Sequence, residues 1–314
     1  GTNAQPAIRM NGGNIGYSSS SVTRRWNISG VLVHILSDIN VKSSSSSALS
    51  TLFIEGGAQF AFADDAGLYV GSDNTNYRGA LNASNVTFTA LDTSERWPGI
   101  DFNNYSDDGS SVLDSCVIEN AVDGIYCVYS SPTITNSTIQ NNTANGIYCD
   151  YSNPTITNNT IKNNTDGIEA NANSQPTITG NTFTENTRPV SIYANRINNT
   201  IYGNSYTDNT KDYIEVEGAI LYANQTYLWS KDNVPYVVVS DITVQYSNNS
   251  SYLSVLQIAS GTTVKFKTGV DLFIGHESNS SYKGALQATG VTFTSLDSTG
   301  WNGIDFNNYS DDGS

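Results

Sequence analysis

Hydrolysis of a glycosidic bond needs two carboxylates held roughly 5–10 Å apart, one acting as acid and the other as base or nucleophile. The set that comes nearest in this sequence is Asp150, Glu169 and Asp101. Asp150 and Glu169 are expected to stand outward on adjacent coils of a repeat, with Asp101 two coils away from Glu169. A solvated polar face explains the same acids without any chemistry. Tyr126 and Tyr148 fall between them and are expected to stack on that face, with Tyr105, Tyr129 and Tyr151 aligned at the next corner. Exposed aromatic strips can bind sugar faces, and stacked rings also steady a column of coils with no ligand at all. Asp107 and Asp108, repeated as Asp311 and Asp312, precede a glycine in a turn. Their carboxylates and neighbouring carbonyls could take Ca2+, though turn chemistry accounts for them equally well. No other cofactor is expected.

The remaining reactive residues are few. His34 and His276 are the only histidines. The regular coils hold few basic groups, chiefly Lys162 and Arg188. Cys116, Cys127 and Cys149 are too few and too clustered for a disulfide framework. They read as buried thiols, with a Cys127–Cys149 disulfide as the alternative. Asn-x-Ser/Thr sequons begin at Asn27, Asn82, Asn104, Asn224, Asn249 and Asn279, all acceptor candidates in an extracellular setting. Those at Asn136, Asn141, Asn158 and Asn163 recur on adjacent coils, where a corner role explains them better.

A periodic scaffold must position these groups. Gly124-Ile-Tyr-Cys127 recurs as Gly146-Ile-Tyr-Cys149, a step of 22, with Gly167-Ile168 following and Gly99-Ile100 preceding. Between them stand Pro132-Thr-Ile-Thr135, Pro154-Thr-Ile-Thr157 and Pro176-Thr-Ile-Thr179. Each coil thus holds a Gly-Ile strand, a turn ending in Pro, a Thr-Ile-Thr strand, a corner and a third short strand. The corner residue is Asn136, Asn158, Gly180 and Gly203, types that tolerate left-handed φ. The next is Ser137, Asn159, Asn181 and Asn204, which suits a side-chain amide ladder. Alternation sends Ile100, Ile125, Ile147 and Ile168 inward with Phe102, Cys127, Cys149 and Ala170. A single coil cannot bury its own interior, so stacking is obligatory. The fold expected is all-β: a right-handed parallel β-helix with coils of about 20–25 residues.

A longer period overlies the short one. Gly99 to Ser110 returns word for word as Gly303 to Ser314, an offset of 204, and Ile54 with Gly57 matches Ile258 with Gly261 at the same offset. The expected organisation is a lead-in over 1–30, which ends a preceding unit or caps the helix, and an opening section over 31–98. Regular coils follow over 99–233, and the start of a second unit over 234–314. A unit cut short would leave a strand edge open, so a longer polypeptide or end-to-end association is expected.

The Pro-Thr-Ile-Thr-Asn-Asn-Thr-Ile and Gly-Ile-Tyr motifs resemble the parallel β-helix repeats of the pectin-lyase-like and NosD-like superfamily. The section holding Pro235-Tyr-Val-Val-Val239 and Ile258-Ala-Ser-Gly261-Thr-Thr-Val-Lys-Phe266 looks like the module that opens many secreted β-helix proteins. In combination the sequence is similar to large cell-surface proteins of methanogenic archaea, over about residues 31–314. The resemblance implies an adhesive, sheath or envelope component, or else a polysaccharide-degrading enzyme. The polygalacturonase-like acid pair with Gly-His-Gly is missing, and neither Lys162 nor Arg188 follows a lyase motif.

Fourteen basic against twenty-nine acidic residues give a net charge of −15. Such a surface repels phosphate backbones, so nucleic acid is not an expected partner. No stretch approaches the roughly 18 apolar residues of a membrane helix, so this segment is not expected to insert. The expectation is an extracellular, structural or adhesive rod at the cell surface that associates with its own kind or with neighbouring repeats, and that contacts surface glycans. A polysaccharide hydrolase or lyase is the alternative.

Overall fold

The computed structural model describes residues 7–73, 75–246 and 251–311. Over them the chain forms 36 β-strands and a single 3-10 turn, Ala194–Arg196. Three strands make a coil, and like strands of successive coils pair in parallel. The result is a right-handed three-sided prism. Face 1 runs for nine strands from Ala7–Met10 to Ser205–Thr207. Face 2 runs for twelve, from Gly13–Ile15 to Thr292–Ser295. Face 3 runs for eight, from Val22–Asn27 to Ile201–Tyr202.

The core is a set of columns rather than layers. On face 2, Ile100, Ile125, Ile147, Ile168, Val190 and Ile214 follow one another in register, each with no exposed surface. Face 3 contributes Leu113, Ile134, Ile156, Ile178 and Ile201. Face 1 supplies Ile118, Ile139, Ile161, Phe183 and Tyr206. Burying one such side chain favours folding by about 1.5–3 kcal/mol, and a β-branched residue suits the pleated wall that presents it.

The corners follow from the residues the repeat supplies. Asn136, Asn158, Gly180 and Gly203 all have left-handed φ, between 51° and 69°. This turns the chain from face 3 to face 1 in two residues. Beneath each of them a buried amide ties coil to coil. Asn159 N–H donates to Asn181 Oδ1 at 2.9 Å, and Asn181 N–H to Asn204 Oδ1 at 3.0 Å. A second ladder runs through Asn142, Asn164, Asn186 and Asn209 at the corner between faces 1 and 2. Both end on a carboxylate. Asn204 donates to both oxygens of Asp232, and Asn209 donates twice to Asp212 Oδ1. An acid suits the last rung because it accepts hydrogens from above without presenting an amide NH2 that nothing below would satisfy.

The long repeat is visible as structure. Gly79 and Gly284 occupy matching places, where any side chain would collide with the carbonyl of Val41 or Val244 respectively. The matching strands do not lie on matching faces, however. Leu32–Ile35 is the fourth strand and lies on face 1, while its counterpart Tyr236–Val238 is the twenty-ninth and continues face 2. The counterparts of Ile39–Val41 and Leu68–Val70, from face 2, are Ile242–Val244 and Asp271–Ile274 in a separate four-stranded sheet. A repeat thus spans 25 strands, and the third face alone keeps its place: Thr226–Trp229, counterpart of Val22–Asn27, lies against the end of face 3, where Asn199 N–H donates to Leu228 O at 2.7 Å. The switch falls where face 1 ends. Below Ser205–Thr207 lies the corner carrying Asp232, whose carboxylate accepts Tyr206 Oη–H at 2.9 Å.

Candidate functional site

The outward positions of face 2 form one column in register: Asn40, Tyr69, Asp101, Tyr126, Tyr148, Glu169, Ser191 and Glu215. The structure therefore unites the acids and tyrosines singled out from the sequence. Tyr126 and Tyr148 stack with ring centroids 5.0 Å apart and planes 12° off parallel. Tyr129 and Tyr151 stack beside them at 4.5 Å, on the corner toward face 3. These two are 52% and 47% exposed, and both hold left-handed φ, a strained choice for a tyrosine. Tyr105 belongs instead to a loop, its backbone bonded to Ser72 and Gly79.

The acids are spaced more widely than the sequence suggested. Asp101 and Glu169 are three ladder steps apart, not two, because Tyr126 and Tyr148 each occupy a full step. Three steps separate them by about 14 Å, beyond the span a glycosidase pair bridges. Asp150 lies one step above Asn171 and accepts a hydrogen bond from its Nδ2. Its backbone lies diagonally about 8 Å from that of Glu169.

Electrostatics single out Asp101. Burial raises its pKa from 3.8 to about 7, and the negative charges of Asp123, Asp73 and Asp38 add to the rise. Burial also raises Glu169, with Asp166 adding to the shift and Arg188 opposing it. The phenols of Tyr126 and Tyr148 are raised by burial first, then by Asp150 and Glu169 respectively. Further down the face, Arg188 grips Asp166 through Nε and Nη2 at 2.7 and 2.8 Å and also bonds Glu215. Lys211 Nζ completes the network on Glu215 at 3.0 Å. Burial works against the Glu215 charge, but Lys211 and Arg188 outweigh it and lower its pKa.

The face is not flat. One depression of about 360 Å3 is lined by Asp64, Arg96, Pro98, Asp101, Val122, Asp123 and Tyr126. A second, of about 430 Å3, lies on the other side of Asp101, around Asp38, Tyr69 and Asp73. The sequence reading missed Tyr69 and Asp123. Tyr69 could have been found as the middle of Leu68-Tyr69-Val70, which alternates like Ile100-Asp101-Phe102. Asp123 could have been found two residues before Ile125, the place that Asp166 and Arg188 take in later coils.

The other expected sites resolve as follows. Asp107 pairs with Arg78, and Asp108 Oδ1 accepts from Ser130 Oγ at 3.1 Å and Ser131 N–H at 2.7 Å. Both carboxylates of the expected calcium site are thus committed to protein partners, and no group of three or more His, Cys, Asp or Glu able to hold a metal ion occurs among the described residues. Asp312 lies outside them, as does Asn249. Of the other sequon residues, Asn27, Asn104, Asn224 and Asn279 are exposed and Asn82 is half-buried. The three cysteines are free and buried, so the Cys127–Cys149 disulfide does not form although the two are neighbours in register. Burial holds the Cys127 thiol well above its ordinary range and raises Cys116 to about 11. Among the described residues no helix is long and apolar enough to cross a membrane.

A protein-family model described as periplasmic copper-binding protein (NosD) matches residues 39–239, more than half of the chain. No curated protein matches it.

Proposed function

The chain belongs to the NosD family of β-helix proteins, and from that premise we propose that it is an extracytoplasmic structural and adhesive rod at the cell surface. In this reading its repeats set length, its ends and faces meet adjacent repeats or further copies, and its tyrosine face touches surface glycans. The observation that carries the reading is the seamless second unit: face 2 runs unbroken for twelve strands across the repeat boundary. A solenoid built this way transmits its stacking from one unit to the next. The test is sedimentation velocity of the purified chain over a wide concentration range. Growth into end-to-end rods is expected. A chain that stays monomeric throughout contradicts self-association.

The family description names copper. Copper(I) favours soft thiolate and thioether ligands. Here the thiols are sealed in an apolar interior that disfavours the thiolate, and His34 and His276 sit some 240 residues apart in sequence on distant coils. These residues do not fit a copper centre.

A polysaccharide hydrolase is the second reading, favoured by one observation: Asp101, raised to about 7, has the poise of a general acid. Cleavage of a polysaccharide that Asp101→Asn abolishes would establish it.

A further inference from the structure

The face-2 column is aromatic at Tyr69, Tyr126 and Tyr148, but a carboxylate takes the place of a ring at Asp101. That leaves a gap of two ladder steps, about 9.6 Å, between the tyrosine positions above and below. The gap opens sideways into the depression on the Tyr126 side, which Asp101 lines, and the depression around Tyr69 adjoins it. On the Tyr126 side the wall is apolar as well as acidic, through Pro98 and Val122. Stacking with Tyr148 occupies one face of the Tyr126 ring and leaves the other toward Asp101. Such a notch matches the thickness of one sugar ring, with C–H groups against aromatic faces and polar groups toward the floor.

The charge of the notch selects the sugar. Asp64 and Asp123 line the notch with the floor carboxylate, and Asp38 and Asp73 act on it from the adjoining depression. Against these acids stand Arg96, which lines the notch with its guanidinium tied to the carbonyls of Thr93 and Glu95, and Lys42 in the adjoining depression. A uronate would add a carboxylate to this group and be repelled, whereas an ammonium would neutralise it.

We propose that the notch over Asp101, walled by Tyr126, binds an amine-bearing sugar ring within an oligosaccharide. This rests on the glycan-contact part of the function proposed above and gives it a ligand class, opposite in charge to the acidic polysaccharides cleaved by enzymes of the superfamily the sequence resembles.

Calorimetric titration of the whole chain with a glucosamine tetramer, at low ionic strength, tests it. Saturable binding is expected, with Asp101→Asn and Tyr126→Ala each weakening it by about tenfold or more. Glu185→Gln, which removes one charge from an exposed corner outside the notch, is expected to leave it unchanged. The N-acetylated tetramer should bind more weakly, and an oligogalacturonate should not compete. The proposal is overturned if the glucosamine tetramer does not bind. It is equally overturned if Glu185→Gln weakens binding as much as Asp101→Asn, or if the oligogalacturonate competes. Rod assembly in the sedimentation experiment is independent of all three, so this site and the rod can fail separately.

Discussion

At the scale of the residue, Asp101 is where the fold works against itself. A carboxylate raised from 3.8 to about 7 by burial and by Asp123, Asp73 and Asp38 binds its proton more tightly folded than unfolded. Its contribution to stability is therefore fully present below the unfolded value and lost as pH rises through about 7. Asp101→Asn removes that loss. The variant should melt about 3–6 °C above the parent at pH 8 and show no such gain at pH 4, read by thermal unfolding across that range. Equal melting at pH 8 would mean that neither burial nor the neighbouring carboxylates disfavour the Asp101 charge. The position of Asp101 was legible in the sequence as an outward residue of a Gly-Ile strand, but its electrostatics were not. They come first from burial, then from Asp123, and then from Asp73 and Asp38, which belong to less regular coils upstream where no motif signals the register.

At the scale of the element, the corner ladders were the most legible feature. The same few residue types return at the same place every 22 or 23 residues, and only a few types can turn left-handed and then offer a buried amide. The structure adds how the ladders are satisfied. Asn181 Oδ1 accepts both the N–H and Nδ2 of Asn159, while its own Nδ2 donates to Ile156 O at 2.9 Å and to Asn204 Oδ1 at 3.2 Å. Asn181→Ala would orphan buried donors and acceptors on both neighbouring coils. Chemical denaturation should record a loss of about 3–5 kcal/mol, and a loss under about 1 kcal/mol would show that the columns alone hold the coils in register. The acid caps Asp212 and Asp232 were not legible. Each breaks the Asn pattern, and only the absence of a further rung beneath explains the change.

At the scale of the whole molecule, the sequence revealed a long repeat but not how its strands are redistributed over the faces. The offset of about 204 residues says nothing about faces, which depend on a strand count that includes pairs as short as Ile220–Leu221. The strands of the second unit that match face 1 continue face 2, whereas Thr226–Trp229, which matches a face 3 strand, stays against face 3. The second unit is therefore a reshaped coil and not a plain copy of the first.

The most direct test of this account is cryo-electron microscopy of the native material. Rods with an axial repeat of about 40 Å per unit are expected. Particles with no axial repeat would contradict the rod itself.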